Sequence, residues 1–290
     1  MEIGIIGLGA MGFPIACNLI RSGIVVKGYD LSEHQRQLFA NAGGMAQDTI
    51  RSTVKDSDVV LMSLPNPQIV TDVMMSEKGV LNNCKPGCCV LDMSSVDPET
   101  TRRICRCAEE RDVLYGDAPV SGGVSGAEAG TLTIMFGGSK ELWDKVQSIL
   151  NVIGKRLFYV GGAGSGDAIK IVNNLLLGCN MAAVSEAVNL GEKLGLSTEI
   201  IKEIVGNSSG NSYAFSAKME KFIIPEKYEG GFSTDLQYKD LRLALDAGTG
   251  VRTPLPMTAV AAQVFEASRG MGNGKKDISS AVTLWKKLDE

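Results

Sequence analysis

Two rhythms of apolar and polar residues divide the chain. From residue 2 to about 160, short β-branched runs alternate with longer stretches whose apolar positions recur at helical spacing. The runs predict strands over 2–6, 24–29, 58–63, 88–92, 113–116, 131–136 and 156–159, and the stretches between them predict helices over 11–22, 32–42, 67–76, 97–110 and 139–151. Ser32 stands where the second helix should start, and Asp97-Pro98 opens the helix that follows D-M-S-S-V; both are favoured helix-start signals. This alternation predicts an α/β domain with a doubly wound, mostly parallel sheet.

Beyond the glycine cluster G-G-A-G-S-G at 161–166 the texture changes. Asp167 to Leu194 runs nearly unbroken, which predicts a helix of about 28 residues spanning roughly 42 Å. From there to Glu290 helical periodicity continues, with loops at 206–211, 225–231 and 270–274 and no convincing strand. The expected organisation is an α/β domain over 1–162 followed by an all-helical domain over 163–290, built on the long central helix.

Composition narrows the function classes. In 290 residues, 44% are apolar, enough for ordinary globular cores. Lys and Arg number 29 against 33 Asp and Glu, a formal net charge of −4, and no basic cluster suited to a phosphate backbone occurs, so no nucleic-acid partner is expected. The first residues lead straight into a strand-like I-G-I-I-G, and no run of about 18 uninterrupted apolar residues is present, which favours a soluble, cytoplasmic protein with no membrane partner. The cysteines number seven and lack C-x-x-C pairs, so free thiols and no metal are expected. The single histidine, His34, lies in the polar stretch S-E-H-Q-R-Q and reads as a solvated helix residue.

Ile3-Gly4-Ile5-Ile6 leads into G-L-G-A-M-G, residues Gly7, Leu8, Gly9, Ala10, Met11 and Gly12. In a dinucleotide fingerprint the first glycine permits the tight turn, the second lets a pyrophosphate approach the backbone, and the third allows close helix–sheet packing. A plain glycine-rich turn is the competing reading. The next strand, V-V-K-G-Y-D, ends in Asp30, where a carboxylate accepts hydrogen bonds from ribose hydroxyls and repels a 2′-phosphate. No arginine follows it directly, the sequence continuing Leu31-Ser32, so NAD is expected over NADP. Asp30 can also serve simply as a cap for the following helix.

A nicotinamide enzyme needs a group that exchanges a proton with the substrate oxygen. Zinc alcohol dehydrogenases need Cys and His ligands, histidine-based hydroxyacid dehydrogenases need a catalytic His, and short-chain enzymes need Tyr-x-x-x-Lys; none occurs here in usable form. Lys170, inside G-S-G-D-A-I-K-I-V-N-N, remains, with Asn174 on the same helical face one turn later. From this stretch alone two readings stand: an acid/base facing an interdomain cleft, or a lysine snorkelling to solvent. The segment D-A-P-V-S-G-G at 117–123 sets Ser121, Gly122 and Gly123 in a loop suited to a carboxylate, an ordinary turn being the alternative. Y-K-D-L-R-L-A-L-D at 238–246 puts Lys239 and Asp240 at a helix start, where a surface ion pair is the plain reading.

Together G-L-G-A-M-G, D-M-S-S-V, D-A-P-V-S-G-G, G-D-A-I-K-I-V-N-N and K-D-L-R-L-A-L-D, in this order, resemble the β-hydroxyacid dehydrogenase family over essentially the whole chain. The resemblance implies an NAD-dependent enzyme that interconverts a short 3-hydroxy acid and its semialdehyde. It implies Lys170 as general acid/base, Asn174 assisting, and Ser121, Gly122 and Gly123 holding the substrate carboxylate. It further implies Lys239 reaching the cofactor, and Leu64, Pro65 and Ser95 lining the nicotinamide side. Within the family, G-D-A-I-K-I-V-N-N-L-L-L-G-C-N-M-A, S-S-G-N-S-Y-A and A-K-M-E-K-F-I are most similar to the 2-(hydroxymethyl)glutarate dehydrogenases.

Asn211 stands where relatives often carry arginine, a natural carboxylate partner. Asn211, Ser212 and Tyr213 therefore suit a smaller or uncharged tail, unless this loop is a simple connector. Other substrates of the same family, tartronate semialdehyde, 3-hydroxyisobutyrate or a sulfonated semialdehyde, stay open. A decarboxylating reaction of the 6-phosphogluconate type is disfavoured by the short chain and the lack of a basic phosphate site, and a cofactor-sensing module by the presence of both lysine and carboxylate loop. The resemblance also implies a Rossmann-like fold for the first domain, and the faces of the helical domain are expected to pair with another copy, giving a homo-oligomer, dimer or tetramer.

Overall fold

The computed structural model describes residues 1–286, and the chain divides into two compact units, Met1–Lys170 and Ile171–Glu290. The first is built from strands β1 (Glu2–Ile6), β2 (Val25–Tyr29), β3 (Met45–Ala46), β4 (Val59–Met62), β5 (Cys89–Asp92), β6 (Leu114–Asp117), β7 (Val120–Ser121), β8 (Leu132–Gly137) and β9 (Gly154–Gly161). Its helices are α1 (Gly12–Arg21), α2 (Glu33–Asn41), α3 (Ile50–Val54), α4 (Pro67–Met75), α5 (Pro98–Glu109), α6 (Gly123–Ala129) and α7 (Lys140–Ile153). The long helix α8 (Ser165–Lys193) starts in this unit and continues into the second.

The strands run in the order β3-β2-β1-β4-β5-β6-β8-β7, with β9 pairing β8. The first six are parallel neighbours, while β8 runs antiparallel to β6 and β7 and parallel to β9. Parallel strands covered on both faces read as continuous apolar runs, and the period of two then distributes alternate residues between two cores. Ile3, Ile5, Leu61 and Leu91 pack with Leu19 of α1 and Val146 and Leu150 of α7, whereas Ile6, Val60, Met62 and Val90 pack with Val70 and Met74 of α4 and Ile104 of α5. Phe39 of α2 is held between two glycines: a Cβ on Gly28 would stand 2.4 Å from the ring and one on Gly44 2.2 Å.

Four short elements lie outside the sequence expectation: β3, β7, α3 and α6. The 117–123 segment, expected as a loop, is strand β6 ending at Asp117, then β7, then the start of α6 at Gly123. Pairing to β8, with Val120 opposite Ile134 and Ser121 opposite Thr133, draws Val120 and Ser121 into the sheet edge.

The second unit contains the remainder of α8, then α9 (Thr198–Gly206), α10 (Tyr213–Lys218), α11 (Thr234–Gly250), α12 (Pro256–Ser268) and α13 (Val282–Lys286). Among the described residues its only strand-like pairing is the isolated bridge between Ser233 and Asp277. Met181, Val184 and Val188 of α8 pack with Phe215, Met219, Leu241, Phe265 and Val282 in its core. By length and composition α8 is apolar enough to cross a membrane, yet this half of it serves as the spine of a packed helical core.

A buried ion pair braces this unit. Lys218 Nζ donates to Asp277 Oδ2 at 2.7 Å, and the Asp277 carboxylate also accepts from Phe232 N, Ser279 N and Ser279 Oγ. The Asp277 side chain is 0% exposed and that of Lys218 10%. Such a pair is costly to break from one side, since the remaining charge stays buried.

Candidate active site

The turn between β1 and α1 has the form a dinucleotide requires. Gly7 adopts φ +93°, and a Cβ there would lie 2.2 Å from the Ser63 carbonyl oxygen. Gly7 N donates to Tyr29 O at 2.9 Å, tying the turn to β2. A Cβ on Gly12 would come within 1.9 Å of Gly7 O, so α1 can begin this close to the turn only with glycine there. Around Gly9, by contrast, a Cβ would meet nothing within 4 Å: the turn presents open space where a pyrophosphate approaches. Met11 supplies no side-chain cap to α1 and its first turn has no acidic residue, leaving the helix N-terminus to an anion. These residues fit the nicotinamide dinucleotide their spacing predicts.

Asp30 is bonded to the same turn. Its Oδ2 accepts from Leu8 N and its Oδ1 from Ser32 N, both at 2.8 Å. The cap of α2 is instead Ser32, whose side chain accepts from Gln35 N. Arg36 donates through Nη1 to the backbone carbonyls of Asp30 at 2.8 Å and Leu31 at 3.3 Å, so a guanidinium stands at the backbone of Asp30, brought there by the first turn of α2.

Leu64 and Pro65 follow β4 in the loop leading to α4, and Ser95 lies in the loop after β5. Leu64 N donates to Ser94 Oγ at 2.8 Å, and Ser94 N donates to Asp92 Oδ1 at 2.9 Å. Ser94, 4% exposed, is thus the residue that fixes the Leu64 loop, and Ser95 is its more exposed neighbour.

Lys170 lies at the end of the first unit. Its Nζ donates to Val120 O at 2.8 Å, so the ammonium stands at the residue preceding Ser121, Gly122 and Gly123. The two glycines adopt φ +133° and +63°, and no atom lies within 4 Å of a Cβ built on Gly123. Both values lie where glycine is favoured, and the segment adjoins the Ser121 hydroxyl and the Lys170 ammonium.

Beneath that group sits a buried acidic system absent from the sequence reading. Asp117 Oδ1 accepts from Gly164 N and Oδ2 from Asp167 N, both at 2.7 Å. Asp167 Oδ2 accepts from Thr101 Oγ1 at 2.6 Å, while its Oδ1 has no hydrogen-bond partner. Asp92 lies beside Asp117 in the β5–β6 ladder and accepts from the Tyr115 hydroxyl at 3.3 Å. Burial, opposed by the two backbone N–H donors, pushes the Asp117 carboxyl up to about 6. Burial and then the neighbouring Asp117 push Asp167 well above the usual carboxylate range. The available signal was the acid at the strand end in D-A-P-V-S-G-G, which by itself reads as turn chemistry.

In the second unit Asn174, 2% exposed, donates through Nδ2 to Asp240 Oδ2 at 2.5 Å and accepts at Oδ1 from Asn173 Nδ2 at 2.9 Å. Gln237 Nε2 donates to the Asn174 carbonyl at 2.9 Å. Lys239 Nζ lies 3.3 Å from Asp240 Oδ1, but this is no surface pair, Asp240 being 4% exposed and bound to Asn174. Asn211 is engaged at both ends of its amide, donating to Gly206 O at 2.9 Å and accepting from Ser216 Oγ at 2.6 Å. Tyr213, at the start of α10, is 74% exposed.

The comparisons agree with this architecture. Residues 2–161 match the family model for the NAD binding domain of 6-phosphogluconate dehydrogenase, and residues 164–285 the one for NAD-binding of NADP-dependent 3-hydroxyisobutyrate dehydrogenase. The chain is 51% identical to 2-(hydroxymethyl)glutarate dehydrogenase of Eubacterium barkeri, covering 99% of this chain and 96% of that protein. It is 35% identical to an NAD-dependent L-serine dehydrogenase of Pseudomonas aeruginosa, covering 98% and 97%. Among solved structures, a Mycobacterium tuberculosis 3-hydroxyisobutyrate dehydrogenase with L-serine superposes with a TM-score of 0.90 at 31% identity, covering 97% of this chain and 98% of that one. The protein therefore belongs to the β-hydroxyacid dehydrogenase family that includes 3-hydroxyisobutyrate dehydrogenase, and is an NAD-dependent hydroxyacid oxidoreductase.

Proposed function

We propose that the chain interconverts a short 3-hydroxy acid and its semialdehyde, with a substrate of the 2-(hydroxymethyl)glutarate class, and that Lys170 is its general acid/base. The observation that carries this reading is the Lys170 ammonium at the Val120 carbonyl, adjoining Ser121, Gly122 and Gly123. It supplies a proton donor and a carboxylate receptor side by side.

Gly7, Gly9, Gly12 and Asp30 would hold the dinucleotide cofactor, which would supply the hydride chemistry at the substrate carbon. During reduction the Lys170 ammonium exchanges its Val120 partner for the substrate carbonyl oxygen and gives it a proton; during oxidation the neutral amine takes the hydroxyl proton. The Ser121 hydroxyl and the Gly122 and Gly123 N–H groups hold the substrate carboxylate. Asn174, its amide fixed by Asp240 and Asn173, orients the substrate oxygen on the Lys170 face of α8. Leu64, Pro65 and Ser95 border the nicotinamide, and Lys239 secures the cofactor. An asparagine at 211 lacks the guanidinium that pairs with a second carboxylate, which favours those alternatives whose tail, near Tyr213, is small or uncharged. Tartronate semialdehyde, 3-hydroxyisobutyrate and sulfonated three-carbon semialdehydes are the alternatives.

The same reading makes the enzyme cytoplasmic and homo-oligomeric, without a nucleic-acid or membrane partner. Seven free cysteines suit a reducing compartment, and exposed Leu176, Ile204, Met257 and Val260 of the helical unit suit self-association. The test is absorbance at 340 nm with a panel of these acids and aldehydes and both cofactors. Turnover of one panel member with NAD is expected; none with any member would refute the substrate class.

A further inference from the structure

The catalytic reading leaves the buried carboxylate of Asp117 without a task. It is 0% exposed, and no lysine or arginine is among its hydrogen-bond partners, which are the backbone N–H groups of Gly164 and Asp167. Those amides belong to the first turn of α8 and the residue before it, and Lys170 follows one turn later. On the other side, Asp117 ends β6 three residues ahead of Val120, whose carbonyl takes the Lys170 ammonium. Two short tethers thus join the same pair of segments. One runs from Asp117 to the α8 start at 2.7 Å, the other from Val120 to Lys170 at 2.8 Å.

The carboxylate has no room to shift. A Cβ on Gly137 would lie 2.5 Å from Asp117 Oδ1 and 2.7 Å from Gly166 N. One on Gly166 would lie 2.8 Å from Asp117 Oδ2 and 2.2 Å from Met135 O. The glycines therefore wall in an acceptor that has two oxygens at fixed places, and each oxygen meets one N–H. The Asp167 carboxyl accepts from Thr101 Oγ1 and takes neither of those donors. On the far side of Asp117, Asp92 accepts from Ser94 N, and Ser94 accepts from Leu64 N, so the same polar layer also anchors the loop assigned to the nicotinamide side.

We propose that Asp117 is a positioning residue: by clamping the first turn of α8 to the end of β6 it sets where the Lys170 ammonium stands against the carboxylate-binding segment. The inference rests on Lys170 being the acid/base. An asparagine at 117 keeps the size but has a single acceptor oxygen, so its NH₂ must face one of the two N–H donors and one tether is lost.

The experiment is a double-mutant cycle with Asp117→Asn and Lys170→Ala, reading kcat, KM and NAD affinity separately. Asp117→Asn is expected to lower kcat by about tenfold or more with NAD affinity within about threefold, and to cost less than about twofold further in the Lys170→Ala background. If Asp117→Asn turns over like the wild type, or costs the same factor with and without Lys170, the positioning role is wrong. Normal turnover by Lys170→Ala alone would instead remove the acid/base reading, a separate outcome. Should Asp117→Asn not fold, Gly137→Ala, which presses a methyl group on Asp117 Oδ1, is run through the same cycle. Failure of both to fold at low temperature would show Asp117 to be a stability residue and overturn the proposal.

Discussion

Gly9 and Gly12 sit three residues apart in one turn and should fail in opposite ways when replaced by alanine. At Gly12 the new methyl group would start 1.9 Å from Gly7 O and 3.0 Å from Gly7 C, about 1 Å inside any separation a real Cβ shows to backbone. Neither neighbour is a flexible side chain, so α1 must move off the turn. Overpacking of this kind costs roughly 1–3 kcal/mol or more. At Gly9 the methyl group meets no protein atom within 4 Å, and the backbone is not in the left-handed region. Gly9→Ala should therefore keep its fold, with stability unchanged or raised by up to about 1 kcal/mol through a less flexible unfolded chain. The methyl group instead occupies space the pyrophosphate needs. NAD affinity should fall by about tenfold or more, a loss of roughly 1.4 kcal/mol. Urea unfolding and titration of NAD by fluorescence, run on both variants, separate the two effects. A Gly9→Ala protein that binds NAD like the wild type would refute the placement of the cofactor against this turn.

Lys170→Ala is expected to lower kcat by about a hundredfold or more with NAD affinity little changed, as general acid catalysis requires, measured by steady-state kinetics beside equilibrium binding. In the helical unit, Asp277→Ala should destabilise by about 3–5 kcal/mol, because it leaves Lys218 buried without its carboxylate. Lys218→Met should cost less in the same denaturation assay, since Asp277 keeps Phe232 N, Ser279 N and Ser279 Oγ as donors. Burial lifts Asp117 from an ordinary 3.8 to about 6, so the folded chain holds this proton more tightly than the unfolded chain. Its contribution to stability is greatest below about pH 4, falls by roughly 2–3 kcal/mol as the pH rises toward 6, and is level above that. Asp117→Asn lacks this titration, so its deficit in unfolding free energy relative to wild type should shrink between pH 4.5 and 7; a constant deficit would contradict the raised pKa.

The main strands were legible because both of their faces are buried: a run such as V-V-L-M at 59–62 needs no partner to be recognised. The two-residue strands β3 and β7 and the short helices α3 and α6 carry too little pattern, being held by neighbours rather than by their own periodicity. For Val120 and Ser121 that neighbour is β8. In the candidate site, the glycine turn and Asp30 were readable because geometry forces the residue types. The acids that support it were not, since Asp117, Asp167 and Asp240 look like surface charge until the chain buries them. Asn211, read as a ligand group from its position, also has its amide held by Gly206 and by Ser216 of α10, contacts that its position in the sequence does not announce. Arg36 lies too far along the sequence to be paired with Asp30 by adjacency, whereas the first turn of α2 carries its guanidinium back to the Asp30 backbone carbonyl.

The ring of Phe39, pinched between Gly28 and Gly44, has a consequence for redesign. It locks the rotation of α2 on the sheet from below, independently of residues 31–36, so that segment can be exchanged as a cassette while the anchor stays in place. A transplanted phosphate-reading sequence there would inherit a preset scaffold, whereas enlarging either flanking glycine would unseat the helix that carries it.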